Sequence, residues 1–355
     1  MIPLVSILIP AYNSERYIQA TLDSAIGQTW NRKEIIVVDD GSRDRTAEIA
    51  KRYASRDVKV VEGEHRGAAA ARNMALSLAQ GDYIQWLDSD DLLGPYKIER
   101  QIEVANRDCG TRTLYSAAVG RFFWRPDRAS FTENVLWRDH SSREWFRLKL
   151  SENVFMQPAA WLVGRSLTEM AGPWDERLTN DDDGEYFCRV IQKSDHIRFV
   201  PKAHVYYRRR ANGSLANIGR DVKKLESLWL SMKMQINQVL AVDNNPEMRA
   251  ACLRYIGCSL AVFYPERMDI IEEAIKIERE LGGVFVMPKM GWKYKWLQVT
   301  CGWGAAKASQ HIARSLRSRI DERFDWIQFT FRAASKYRDM SKMLLELDSS
   351  VIGGR

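Results

Sequence analysis

The chain has 355 residues, 45% of them apolar, enough for two domains or for one large domain with a helical annex. No apolar run approaches the roughly 18 to 20 residues that cross a bilayer, and the N-terminus lacks the basic region and small-residue cleavage site of a secretory signal, so a cytoplasmic location is expected. The formal charge is +7, with Lys and Arg crowded from Arg189 onward, and the five cysteines (Cys109, Cys188, Cys252, Cys258, Cys301) show no C-x-x-C spacing, which speaks against a structural zinc and for a reducing compartment.

Val5 to Ile9 is a β-branched apolar run closed by Pro10, the pattern of a strand buried on both faces. Pro10, Ala11, Tyr12 and Asn13 follow it. Ser14 stands where an N-cap would open a helix from Glu15 to Gln28, with Tyr17, Ile18, Leu22, Ala25 and Ile26 on its apolar face. The plan then repeats. Ile35 to Val38 is a second buried strand ending in Asp39 and Asp40; Gly41 permits a tight turn, and Ser42 or Asp44 caps a helix that runs to Tyr53. Val58 to Val61 is a third strand, Gly67 to Leu78 an alanine-rich helix carrying Arg66, Arg72 and Asn73, and Tyr83 to Leu87 a fourth strand.

Such alternation implies a mostly parallel sheet with right-handed crossovers and helices on both faces. Open α/β sheets bind ligands at the carboxyl ends of their strands. The polar clusters fall at three such ends: Pro10 to Asn13, Asp39 with Asp40, and Asp88 to Asp91. No G-x-G-x-x-G follows the first strand and no G-x-x-x-x-G-K-[ST] occurs anywhere. A nucleotide here would be held through base, ribose and a metal rather than by a glycine cradle.

The fourth strand ends in Asp88, Asp90 and Asp91, three carboxylates in four positions. Carboxylates so crowded repel, and either one takes up a proton or a cation neutralises them. Two of them at i and i+2 on an extended segment can reach one hard divalent ion, which keeps open positions for phosphate oxygens. The plainer reading of the same residues is an Asx-type cap ahead of a helix.

Thr113 to Phe123 reads as a strand, Ser141 to Leu150 as a helix, Ala159 to Val163 as another strand and Gly172 to Leu178 as a turn. A second acidic cluster, Asp181, Asp182, Asp183 and Glu185, leads into a helix from Tyr186 to Gln192. Acidic residues suit a helix start, but four in five positions exceed that need. A base that accepts a proton from an attacking hydroxyl is the functional reading. His196 to Pro201 is a last strand, and Val205-Tyr-Tyr-Arg-Arg-Arg210 offers arginines to phosphate.

Beyond Asp221 the strands stop. Lys223 to Val239, Asn245 to Tyr264 and Met268 to Leu281 have helical periodicity, and Gly282-Gly283 is a break. Trp292, Tyr294, Trp296 and Trp303 form an aromatic stretch before a basic amphipathic helix, Ala305 to Ile320, with Lys307, Arg314, Arg317 and Arg319. Ser350 to Arg355 reads as a frayed end. A basic amphipathic helix beside tryptophans suits a membrane interface, so peripheral membrane contact is the expectation there; ordinary packing is the plainer use.

Taken in order, Val5-Ser-Ile-Leu-Ile-Pro-Ala-Tyr-Asn13, Gln28-Thr29, Glu34-Ile-Ile-Val-Val-Asp-Asp-Gly-Ser42, Gly67-Ala-Ala-Ala-Ala-Arg-Asn73 and Gly81-Asp-Tyr-Ile-Gln-Trp-Leu-Asp-Ser-Asp-Asp91 form a signature. It resembles that of the family-2 nucleotide-sugar glycosyltransferases, which have a GT-A fold. Pro173-Trp-Asp-Glu-Arg-Leu178 through Tyr207-Arg-Arg resembles them more loosely. The resemblance implies an α/β, Rossmann-like fold over residues 1–220, with a nucleotide-sugar half (1–95) and an acceptor half (96–220); it does not reach the helical region (221–355), whose role stays open. It implies inverting transfer from a nucleotide-sugar, UDP-sugar favoured, to a hydroxyl of a glycan or lipid-linked acceptor in polysaccharide, glycolipid or other cell-envelope glycan synthesis. A divalent cation, Mn²⁺ or Mg²⁺, comes with it.

Position by position, the resemblance places Pro10, Ala11, Tyr12, Asn13 and Asp40 at the nucleotide, with Tyr12 stacking on the base. It places Arg72 and Ser89 near the donor, Asp90 on the ion, and Asp88 at the ribose or the ion. Arg208, Arg209 and Arg210 are candidates for the diphosphate. The run Asp182-Asp-Gly-Glu-Tyr-Phe187 aligns with the family's Glu-Asp pair and puts Asp183 in the base position. Asp182 replaces the family's Glu and Glu185 its helix-opening Asp, which moves carboxylates by a methylene and leaves Asp181 and Asp182 as alternative bases. Nucleotidyl transfer would show a basic glycine-rich loop near the first strand, which Pro10-Ala-Tyr-Asn13 does not supply. A non-catalytic nucleotide-binding or membrane scaffold sits poorly with intact acidic clusters, and no nucleic-acid partner is expected.

Overall fold

The computed structural model describes residues 2–108, 112–210, 221–286, 295–336 and 340–352. It begins with β1 (Val5–Ala11), α1 (Ile18–Ile26), β2 (Lys33–Asp39), α2 (Thr46–Lys51), β3 (Val58–Glu62), α3 (Ala68–Leu78) and β4 (Tyr83–Trp86). The strands lie in the order β3-β2-β1-β4, all parallel, as helical crossovers require. Every residue of the central strand β1 is buried, because helices cover both faces. Gly81 lets the chain enter β4 directly against β1: a Cβ there would stand 2.5 Å from the Ser6 amide nitrogen.

After β4 come β5 (Leu92–Leu93), α4 (Lys97–Ala105), β6 (Thr113–Phe122), β7 (Ser130–Phe131), β8 (His140–Ser141) and α5 (Ser142–Glu152). Then follow β9 (Val163–Gly164), α6 (Arg165–Ala171), α7 (Asp182–Lys193) and β10 (His196–Arg208). β9 adds an antiparallel edge to the first sheet beside β4. The second sheet runs β5-β10-β6-β7, with β8 also on β10. The antiparallel β5–β10 pairing joins the turn after β4 to the end of β10, so the acidic turn and the arginines at the end of β10 are built at one seam.

Several sequence expectations are corrected. α1 starts at Ile18 rather than Glu15: the Ser14 carbonyl accepts the Tyr17 and Ile18 amides, but the Ser14 side chain turns to Ser89 instead of capping. α7 starts at Asp182, so the acidic residues form its first turn rather than a lead-in to Tyr186. The last strand runs through to Arg208, with an irregular register between Val200 and His204 that carries it past Pro201. Pro158 fixes a 3₁₀ turn, Pro158–Ala160, where a strand was expected, leaving only Val163–Gly164 in the sheet.

Among the described residues that follow, the elements are all helices: α8 (Val222–Val242), α9 (Pro246–Phe263), α10 (Met268–Leu281), α11 (Lys295–Lys336) and α12 (Met340–Ile352). α11 continues well past Ile320, since its sequence there contains neither Gly nor Pro, and α12 reaches into the expected frayed end. Trp292 and Tyr294 lie outside the described residues. Leu225, Trp229, Met232, Met248, Ile256 and Ala274 join the same buried core as β1. Met340, Met343 and Leu344 of α12 return to pack on Leu92, Phe122 and Tyr206. There Asp348, 1% exposed, hydrogen-bonds His204 Nδ1 at 2.6 Å and accepts from Arg100 at 2.9 Å. Among the described residues no helix is long and apolar enough to cross a membrane.

Candidate active site

The carboxyl ends of β1 and β2 are laced together. The Asp40 amide donates to the Ala11 carbonyl at 2.8 Å. Asn13, in a left-handed conformation (φ 47) that Asn tolerates, donates from its backbone to Ser42 Oγ and accepts the Arg43 amide on its side chain. Pro10 is buried in the strand, paired with Val38. Tyr12 is exposed at the surface, and its ring stacks on the His65 imidazole with centroids 4.0 Å apart and planes within 12°. The Asp40 carboxylate accepts the amides of Arg66 (2.8 Å) and Gly67 (2.9 Å) and lies 2.8 Å from His65 Nδ1. Gly67, at φ 99, makes that bend possible. A shallow pocket lined by Val38, Asp40, Gly63, Arg66, Ala70 and Met74 opens beside this platform.

The turn after β4 divides its carboxylates among separate arginines. Asp88 Oδ1 accepts from Arg72 Nη2 at 2.8 Å, and Asp90 Oδ2 lies 3.0 Å from Arg210 Nε. Asp91 Oδ1 accepts the Arg208 amide at 2.8 Å, which ties the turn to β10. Arg208 itself is buried: it donates to the carbonyls of Asp90 and Phe123 and lies over the rings of Phe122 (4.4 Å) and Tyr17 (4.9 Å). Burial raises the pKa of Asp90, and Asp88 adds repulsion against the pull of Arg210. Burial also lifts Asp91 well above the usual range, with Asp90 and Asp88 repelling it. Ser89 turns its hydroxyl to Ser14 (2.7 Å), so it braces the turn against the first strand's loop. Arg209 is exposed and lies over Phe123, 5.0 Å from its centroid, and is not brought to this cluster.

The second acidic cluster meets the first through one residue. Arg72, on α3 and buried, donates through Nη1 to Asp182 Oδ2 at 2.5 Å while Nη2 holds Asp88. Its guanidinium carbon sits 4.4 Å from the Trp174 ring, which stacks in turn on Tyr186 at 4.0 Å. Burial works against its charge, but Asp182, Asp88 and Asp183 outweigh that and its pKa is raised. Asp181 points the other way and accepts from Ser231 (2.8 Å) and Gln235 (2.7 Å) on α8. Asp183 is left with one bond to a described residue, from the Gly184 amide at 3.0 Å. Burial, then repulsion from Asp182 and Asp181, pushes its pKa up to about 7. Of the three candidate bases, Asp181 is committed to α8, Asp182 to Arg72, and Asp183 is paired with no cation among the described residues.

Sequence reasoning missed the roles of His65, Arg66 and Trp174, naming Arg66 only with the helix that follows it. Their one local signal was position: the first two stand just before the glycine that opens α3. Trp174 was legible only as part of a turn, although its carbonyl and amide both bond Asn73.

Among the described residues no group of three or more Asp, Glu, His or Cys side chains converges as a metal site. Asp88 and Asp90 nevertheless supply two hard oxygen donors in a half-buried, mutually repelling pair, the chemistry a Mg²⁺ or Mn²⁺ ion takes when phosphate oxygens complete its shell.

The model of glycosyl transferase family 2 matches residues 6–169. An uncharacterized glycosyltransferase of Rickettsia prowazekii is 43% identical over 239 residues, 64% of this chain and 70% of that protein. The chain belongs to glycosyl transferase family 2. This glycosyltransferase is also 28% identical over 293 residues to the chondroitin synthase of Pasteurella multocida, covering 79% of the chain but 28% of that enzyme. Among solved structures, residues 1–349 of S. aureus TarS in complex with UDP-GlcNAc superpose with a TM-score of 0.59 at 16% identity, over 77% of this chain and 81% of that one. The likeness shows the GT-A fold that the motifs implied.

Proposed function

We propose that this glycosyltransferase moves a sugar from a nucleoside diphosphate to an acceptor hydroxyl, inverts the anomeric carbon, and works with Mn²⁺ or Mg²⁺. The observation that carries the reading is the Arg72 bridge: it holds Asp88 and Asp182 on one guanidinium and leaves Asp183, with its pKa near 7, beside them. A group titrating near the working pH is suited to take a proton and to give it up again.

In this reading the Tyr12–His65 platform and the pocket at Asp40 receive the base and ribose, with Pro10, Ala11 and Asn13 shaping their walls. Asp90 and Asp88 would hold the ion, which supplies charge neutralisation at the departing diphosphate. Arg210 stands at that end, paired with Asp90, and stabilises the same developing charge. Asp183 accepts the proton of the acceptor hydroxyl; its oxygen then attacks the anomeric carbon on the face opposite the diphosphate, and the configuration inverts. Asp182 is a positioning residue, fixed by Arg72. The UDP-GlcNAc complex of TarS supports a UDP-sugar donor, and the likeness to a chondroitin synthase supports a glycan or lipid-linked acceptor in envelope glycan synthesis.

The test is a panel of UDP- and GDP-sugars with and without Mn²⁺, following nucleoside diphosphate release and the anomeric configuration of the transferred sugar by NMR. Metal-dependent release with inversion is expected. Retention of configuration, or equal turnover after chelation, contradicts the mechanism.

A further inference from the structure

We propose that the outward face of α11 docks on an anionic lipid surface. Ile312, Leu316, Ile320 and Phe324 recur every four residues, and Phe331 extends the row; each is between 53% and 85% exposed. At about 100° per residue these side chains share one stripe of the helix. Arg319 and Arg323 fall on one flank of the stripe, both exposed; on the other flank the exposed Arg317 lies 3.9 Å from Asp321. Glu322 and Asp325 fall on the far side of the helix.

The far side is the one that meets the body. Asp325 accepts the amides of Trp124 and Arg125 (2.9 and 3.1 Å) and pairs with the Arg125 side chain, while Phe329 packs on Trp124 at 5.8 Å. The apolar row therefore points away from the protein. A solvent-facing row of isoleucine, leucine and phenylalanine fringed by arginine is the pattern of a helix that lies in a bilayer interface, its apolar side chains among the acyl chains and its cations at acidic headgroups.

A second copy of the chain is the other occupant to weigh. Two such stripes face to face would bring Arg319 and Arg323 of each copy along one seam, where helix pairs use opposite charges. An anionic surface matches the flank of Arg319 and Arg323.

The position also fits the chemistry. Trp124, which anchors α11, packs on Tyr17 at 5.6 Å, and Tyr17 lies under the guanidinium of Arg210, the partner of Asp90. A bilayer under α11 is thus joined by one packed line of side chains to the diphosphate end of the site. It would present a lipid-linked acceptor to the reaction; that last step rests on the proposed transfer, whereas the docking does not.

The test is co-sedimentation of the full chain with sucrose-loaded vesicles of phosphatidylcholine, with and without phosphatidylglycerol, at low and high salt. Binding to the anionic vesicles at low salt is expected, reduced by salt. Arg319→Gln with Arg323→Gln should weaken it about fivefold per arginine removed. Ile320→Asp with Phe324→Asp should weaken it by at least about tenfold, with unchanged circular dichroism. The proposal is overturned if the wild type ignores anionic vesicles at low salt, or if the apolar double variant binds as wild type does. It is equally overturned if sedimentation shows a dimer that this variant splits while vesicles stay unbound. Vesicle binding does not read sugar transfer, so either proposal can fail while the other stands.

Discussion

Replacing Arg72 by alanine removes the one cation shared by two carboxylates from different halves of the sheet assembly. Asp88 and Asp182 keep 31% and 14% of their side-chain surface exposed, and Arg72 keeps 7%, so the pair is largely cut off from water. Breaking a buried ion pair from one side costs about 3 to 5 kcal/mol. Water at Asp88 takes back part of that, which sets the expected loss at about 3 kcal/mol, including the stacking on Trp174. Arg72→Met, which keeps the stem and removes the charge, separates the two contributions. Burial raises the pKa of Asp182 and Arg72 pulls it back, so without the guanidinium Asp182 holds its proton to higher pH, and a protonated carboxyl has no charge to strand. The loss for Arg72→Met should therefore be largest above about pH 8 and shrink towards about pH 5. Urea unfolding of both variants and the wild type at the two pH values measures this. Wild-type stability in Arg72→Ala, or a loss in Arg72→Met that grows on acidification, refutes the bridge as a structural element.

Asp183 keeps its proton to about pH 7 in the folded chain, whereas an unfolded aspartate loses it near 3.8. The stability this group lends is full below 3.8 and lost as the pH rises through about 7. A shift of that size is worth about 4 kcal/mol at most, and solvent at the half-buried side chain halves it, so Asp183→Asn should be about 2 kcal/mol more stable than wild type above about pH 8; equal melting points there count against the assignment. Asp90→Asn is expected to weaken UDP binding in Mn²⁺ by at least about tenfold and to leave metal-free binding alone, as calorimetry can show. Asp348→Ala strands His204 and Arg100 and should release α12, seen as faster amide exchange over residues 340–352 with the β1 core unaffected.

The first four strands were readable because each is a short apolar run ending in a polar cluster, and period and ends agree. What stayed hidden depends on contacts far apart in sequence. Arg72 looked like a donor contact; nothing near it announces Asp182, 110 residues on. The start of α7 was misplaced because Asp181 takes a left-handed backbone (φ 58) and Asp182 and Asp183 are helical despite poor propensity. β10 looked broken at Pro201, and only its pairing with β6 shows that the strand resumes. That resumption separates the three arginines: Arg208 goes inside to hold the turn of Asp88 to Asp91, Arg209 outside, and Arg210 back to Asp90. Strand alternation at Arg208 to Arg210 would have foretold this, had the strand been recognised.

The decisive measurement is on Asp183→Asn with its best nucleotide-sugar, taking turnover and donor affinity on the same protein. Loss of a general base should lower kcat by about 10² to 10⁴ with donor Kd unchanged. Turnover within about threefold of wild type would mean that another group takes the acceptor proton; a parallel loss of donor affinity would make Asp183 part of the binding site instead of the base.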